Sequence, residues 1–85
     1  MYYVYVIQSK EKGIYIGYTN NLKRRFYEHN NDKSTHTKNA TWRLVYYESF
    51  ADKQDAITRE KALKHHGQAK RRLMERIKNS LSGTS

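Results

Sequence analysis

A glutamate stands where an apolar residue belongs. Between Asp52 and His65, the residues Ala56, Ile57, Glu60 and Leu63 recur at helical spacing and mark the stripe that should face a core. A carboxylate in that stripe is costly to bury unless it is paired or holds a metal ion. The spacing leaves both open, because Lys64 follows four residues later, at the reach of an i,i+4 ion pair. Upstream, Leu22, Arg25, Phe26 and His29 share one helix face, so a guanidinium and an imidazole interrupt a second apolar stripe. Arg25 can lay its stem over the core with its head in water, and His29 can be an ordinary surface histidine. Eight tyrosines in 85 residues can mostly be core filler with a hydroxyl at the rim. Each oddity alone has such a bland explanation. Jointly they supply an oxygen ligand for a hard cation, a fixed positive charge and titratable rings, and that combination points to a site.

The elements that would position these groups follow from pattern. Residues 2–7, all β-branched or aromatic, read as a strand covered on both faces. Gln8 to Gly13 has hairpin-loop composition, and residues 14–19 read as a second strand. If the hairpin is symmetric about Lys10, Tyr5 lies opposite Tyr15 and Tyr3 opposite Gly17. Thr19, Asn20 and Asn21 are good N-caps for a helix running to about Asn30. Residues 30–41 read as a polar surface loop, and 42–50 as a third strand. Asp52 caps a helix ending near Lys64 or His65, and a last helix is expected over Gln68 to Asn79, with Leu73, Met74 and Ile77 on one side. The sum is an α+β domain of order ββαβαα, a three-stranded antiparallel or mixed sheet packed with helices. It occupies residues 1–79, and 80–85 form a flexible tail.

Composition narrows the partners. Seventeen Lys and Arg against eight acidic residues give a net charge of +9. The excess is spread along the chain, with eight basic against four acidic residues in 1–50 and nine against four in 51–85. A folded body with this balance attracts polyanions, because neutralised phosphates release their counterions. Lys70, Arg71, Arg72, Arg76 and Lys78 can track a phosphate backbone, and nothing in them reads base edges. With no cysteine, disulfides and thiolate metal sites are excluded, and the chain suits a reducing cytoplasm. No apolar run reaches the ~20 residues of a membrane helix, and the N-terminus reads as a strand, not a signal peptide. At this length only about 60–65% of the unfolded surface is buried, so the core is thin.

Tyr15-Ile16-Gly17, followed by Thr19, Leu22, Arg24-Arg25 and His29-Asn30, resembles the GIY-YIG nuclease superfamily in order and spacing, over residues 2 to about 79. The letters Gly13-Ile14-Tyr15 overlap the second motif and are not the first. The first is Tyr3-Val4-Tyr5, with its glycine replaced by Tyr3. The chain is most similar to small stand-alone bacterial members, and also to the nuclease domain of the UvrC excision-repair protein and to the catalytic subunit of eukaryotic structure-selective endonucleases.

The resemblance implies Tyr5 and Tyr15 as the two motif tyrosines and Gly17 as a structural glycine. It implies Arg25 as the helical arginine, His29 as its companion and Glu60 as the metal ligand. Asn79 corresponds to a late asparagine that closes the site in several members. Tyr18 replaces a lysine found three residues after the second tyrosine in UvrC-type members. The implied activity is hydrolysis of DNA phosphodiester bonds with one Mg²⁺ or Mn²⁺, selective for structure and not for sequence. Arg25 would brace the scissile phosphate and His29 would relay a proton or hold phosphate. The base stays unassigned between Tyr5 and Tyr15. Phosphate contacts are expected from Arg24, Lys38, Lys70, Arg71 and Arg72, and solvent or phosphate contacts from His36, His65 and His66. The alternatives are a non-catalytic nucleic-acid-binding module, or a nuclease subunit that is silent without a protein partner. They arise because members with assigned duties carry further domains.

Overall fold

In the computed structural model, which describes residues 1–31 and 41–81, three strands and three helices follow in the expected order. They are β1 (Tyr2–Ser9), β2 (Ile14–Thr19), α1 (Leu22–Asn30), β3 (Trp42–Phe50), α2 (Lys53–His65) and α3 (Gly67–Arg76). The sheet is fully antiparallel with order β2-β1-β3. The central strand is buried on both faces: Val4, Tyr5, Val6 and Ile7 are each no more than 1% exposed.

Strand alternation sorts the layers. Val4 and Val6 of β1 and Ile16 of β2 form one core with Ala56 and Leu63 of α2, Leu73 of α3 and Ile77 just beyond it. Tyr5, Ile7, Tyr15 and Gly17 point the other way, towards α1. On β3 the bulge opposite Val6 and Ile7 skips Val45, so that Leu44 faces Ile7 and Trp42 faces Ser9.

The hairpin register differs from the one expected. Tyr5 lies opposite Gly17, Tyr3 opposite Thr19 and Tyr15 opposite Ile7. The symmetry centre is Glu11 because Lys12 adopts a left-handed φ of 71°, which closes a three-residue loop. Ser9 N–H donates to the Gly13 carbonyl at 2.9 Å, and Lys12 N–H to the Ser9 carbonyl at 3.0 Å. The slip is by two partners, so each side chain keeps its expected face. What changes is the row: Tyr5 now crosses the strand at the glycine.

Both helices that carry candidate groups are capped as their sequences indicate. Asn21 accepts from Arg24 N–H at 3.0 Å, and Asp52 accepts from Gln54 N–H at 2.8 Å. The last helix is shorter than expected. It ends at Arg76, and Ile77 leaves helical geometry with ψ 20°. The following turn is held by Ser80 N–H to the Ile77 carbonyl at 2.8 Å. Asn79 therefore sits in an exposed turn and not on α3. The loop expected over 30–41 and the tail fall mostly outside the described residues, as do His36 and Lys38.

Candidate active site

The register brings the unusual residues together. Gly17 has no side chain, and the ring of Tyr5 lies across it: a Cβ built there would fall on the Tyr5 hydroxyl and 2.9 Å from Cε1. That crossing directs the phenol into the space between β2 and α1, where its oxygen is 2.6 Å from His29 Nε2. Ring centroids complete the cluster, at 5.6 Å for Tyr5–His29, 5.0 Å for Tyr15–His29 and 6.3 Å for Tyr5–Tyr15. Trp42 closes it from β3, 6.4 Å from Tyr15.

His29 is fully buried, so it is not an ordinary surface histidine. Burial pushes its pKa down to about 4, with the nearby Arg25 charge adding to the shift. Burial likewise pushes the Tyr5 phenol up to about 12, opposed by Arg25, whose guanidinium faces the hydroxyl. At pH 7 the pair is therefore neutral phenol and neutral imidazole. Arg25 can only donate. Placing its hydrogen on the Tyr5 oxygen and the phenol hydrogen on His29 Nε2 satisfies all three groups, and leaves His29 protonated at Nδ1.

A buried histidine held neutral makes stability depend on pH with a definite sign. Its folded pKa, about 4, lies below the ordinary ~6.5 of the unfolded chain, so the unfolded state binds more protons between these values. The contribution is complete above pH ~6.5 and is lost as pH falls towards 4, by about 3 kcal/mol in all. Urea unfolding midpoints should fall between pH 7 and 5 for the native chain. They should stay nearly level over that range for His29→Gln, which still offers Tyr5 an acceptor oxygen. Equal slopes for the two chains would remove this account.

Glu60 approaches from α2, and its charge reaches the Tyr5 phenol. It is half-buried and pairs with Lys64, Nζ to Oε2 3.1 Å. Lys64 in turn lies over the Tyr15 ring, 5.4 Å from its centroid. Arg25 is steadied by Glu28, Nη1 to Oε1 3.1 Å. The structure thus gathers Tyr15, Arg25, His29 and Glu60 around Tyr5, whose ring lies across Gly17.

The other named residues separate. Asn79 joins this cluster through no described contact, and its neighbour Ser80 accepts from Arg43 at 2.9 Å at the start of β3. Lys70 borders a depression of about 230 Å³ with Tyr15 and Lys64, beside the cluster. Arg72 instead lines one of about 200 Å³ with Arg59 and Arg76, beneath the β3 edge where Arg59 grips Glu48 at 2.9 Å. Arg24 is exposed on α1, and Arg71, His65 and His66 are exposed on and between α2 and α3. Two participants went unmarked in the sequence, Lys64 as a neighbour of Tyr15 and Trp42 as a wall. The i,i+4 spacing signalled the pairing of Lys64 with Glu60, and nothing local signalled its second contact.

Among the described residues no three His, Cys, Asp or Glu side chains cluster as a metal cage, and no helix is long and apolar enough to cross a membrane.

Comparison with known proteins agrees with the fold. Residues 1–73 match the GIY-YIG catalytic domain. A UPF0213 protein of Clostridium perfringens is 40% identical over 67 residues, covering 75% of this chain and 71% of its own. One from Lactiplantibacillus plantarum is 39% identical over 72 residues, covering 80% and 71%. The solution structure of the UPF0213 protein of Bacillus halodurans is similar with a TM-score of 0.55 at 31% identity, over 99% of this chain and 88% of that one. With the family model, these relatives and the fold in agreement, the chain belongs to the GIY-YIG catalytic domain family, among its small UPF0213 proteins.

Proposed function

We propose that this protein is a divalent-metal-dependent endonuclease acting on DNA, selective for strand structure and not for sequence, and working in the reducing cytoplasm that its cysteine-free chain suits. The observation that carries the reading is the convergence of Arg25, Tyr15 and Glu60 on the neutral Tyr5–His29 pair, whose hydroxyl and Nε2 are 2.6 Å apart.

Glu60 fits a hard cation. It offers one carboxylate with solvent access, and Lys64, which pairs with it at 3.1 Å, is a flexible side chain that would turn aside when an ion binds. A lone oxygen ligand suits Mg²⁺ or Mn²⁺ that keep several waters, and not a metal that asks for a nitrogen or sulfur cage. Bound there, the ion would supply charge neutralisation at the phosphoryl oxygens.

The chain's own groups do the rest. Arg25 presents a fork of donors to the scissile phosphate. Water attacks phosphorus, and its proton passes to the Tyr5 oxygen while the phenol proton passes to His29 Nε2. The bond from phosphorus to the leaving oxygen breaks, and solvent protonates that oxygen and later deprotonates His29. A phenol raised to about 12 cannot serve as a free phenolate at pH 7, so it works by passing a proton along. Phosphate held by Arg25 would offset the guanidinium charge that lowers His29 and so raise its affinity for that proton. Tyr15, half-exposed under Lys64, orients the water. Lys70 borders the same depression as Tyr15 and would hold the flanking backbone.

A metal-titrated cleavage assay on branched, single-stranded and plain duplex DNA tests this reading. Cleavage is expected only with added metal. Arg25→Ala should lose about a hundred-fold or more, and Tyr15→Phe about ten-fold, with the fold retained by circular dichroism. A native chain that binds DNA but never cleaves it under any metal would leave a non-catalytic module or a partner-dependent subunit. The Glu60–Lys64 pair is the observation that favours this second reading.

A further inference from the structure

Beyond the cluster, on the same sheet face, lies an aromatic surface that the proposed hydrolysis does not use. The row that carries Gly17 and Tyr5 continues to Tyr47 on β3, so Tyr47 is the cross-strand neighbour of Tyr5, with Cβ atoms about 5 Å apart. Tyr5 is buried, whereas Tyr47 is 52% exposed. Tyr3 meets it edge-on at 6.0 Å between centroids. The two rings border a depression of about 500 Å³ whose remaining wall includes Phe26, Leu44, Asn20 and Lys23. Lys23 also borders an adjoining depression beside Arg24 and Tyr27, and Tyr27 is 56% exposed. Among the described large apolar or aromatic residues only Met1 is more exposed than these two tyrosines.

We infer that Tyr47, braced by Tyr3, is a stacking platform for one unpaired base of a DNA single strand, with Lys23 holding the adjoining phosphate. The inference rests on the reading that Arg25 and Tyr5 address a phosphodiester, and it adds which DNA is chosen. Three features favour this occupant. A tyrosine ring with an open face and a flexible ammonium beside it is the combination that holds single strands without reading sequence. The chain's net charge of +9 draws a polyanion to any apolar surface it displays. The platform also shares a sheet face with Tyr5, whose ring leans the other way over Gly17, so a base stacked there belongs to the same strand a short way from the bond addressed. A paired base has both faces covered by its neighbours and cannot use the ring, which gives selectivity for single-stranded or branched DNA without a base-specific contact.

Binding is measured with the full chain in EDTA, by fluorescence anisotropy of labelled oligothymidylate and of a fully paired hairpin. The native protein should prefer the single strand. Tyr47→Ala should lose about ten-fold on the single strand and nothing on the hairpin, and Tyr47→Phe should keep native affinity for both. Lys23→Gln should weaken both, with the salt dependence shallower by about one. Because the ring is half in water, circular dichroism should find these variants folded. Unchanged single-strand affinity in Tyr47→Ala, or an equal loss on both ligands, would overturn the inference. So would self-association of the native chain that Tyr47→Ala abolishes without any effect on DNA, since a second copy would then be the occupant. No metal is present in this measurement, so a chain that never cleaves can still show the platform, and a cleaving chain can still lack it.

Discussion

Replacing Glu60 with Gln should reduce metal-dependent cleavage by about a hundred-fold or more while leaving the fold and the affinity for DNA nearly intact. The reasoning separates three roles that one carboxylate could have. As a structural ion pair with Lys64, Glu60 contributes little: the pair is partly exposed at 38% and 21%, and such i,i+4 pairs on helices are worth about 0.3–0.5 kcal/mol. As a packing element it is replaced by an isostere, and the core residues of α2 on either side, Ala56 and Leu63, are untouched. As the anchor of a hard cation it has no substitute, because no described group of three acidic or metal-binding side chains stands ready to take over. An ion at the phosphoryl oxygens supplies several kcal/mol of transition-state stabilisation, and each 1.36 kcal/mol is ten-fold in rate. Single-turnover cleavage across a magnesium titration, with anisotropy for binding and thermal melting for stability, tells the roles apart. A variant that cleaves as fast as the native chain would end the hydrolase reading. One that melts many degrees lower would make Glu60 a structural residue instead.

The fold was legible because each element announced itself by an independent rule. The aromatic and β-branched run of residues 2–7 could be buried only as a central strand, and Asn21 and Asp52 marked where two helices begin. The positions that break those helices' stripes, Arg25, His29 and Glu60, are the ones that meet around Tyr5, so the candidate site was visible as a set of local rule violations. What stayed hidden depends on contacts far apart in the chain or on uncommon backbone. The hairpin centre moved because Lys12 accepts a positive φ, which non-glycine residues seldom do. The complete burial of His29 depends on the rings of Tyr5 and Tyr15, 24 and 14 positions away, that pack on it, and no helix-face argument contains them. The split of the basic α3 residues, with Lys70 beside Tyr15 and Arg72 beside Arg59, needs the packing angle of α3, which periodicity does not carry. Asn79 lies in a turn and not on the last helix because Ile77 ends the helical geometry first.

Gly17→Ala should be the most damaging alanine substitution among the described glycines, and its cause is space, not backbone conformation. The added Cβ would clash with the Tyr5 hydroxyl and lie 2.5 Å from Cζ and 2.9 Å from Cε1. The Tyr5 ring has nowhere to retreat. It is 1% exposed, its oxygen is tied to His29 at 2.6 Å, and Tyr15 lies 6.3 Å away on one side. Overpacking of this kind costs about 1–3 kcal/mol. In a domain of this size each kcal/mol lowers Tm by about 4–8 °C, so a fall of roughly 10 °C or more is expected. If the ring swings aside to relieve the clash, it gives up His29 and Arg25, and the proton path from water is lost with it, so cleavage should fail even in molecules that remain folded. A double-mutant cycle isolates the contact. Tyr5→Leu removes the ring and is itself destabilising, but in that background Gly17→Ala should be nearly neutral. A native Tm for Gly17→Ala alone, or the same loss with Leu at position 5, would mean that the phenol does not cross the strand at this glycine, and the geometry of the whole cluster would have to be redrawn.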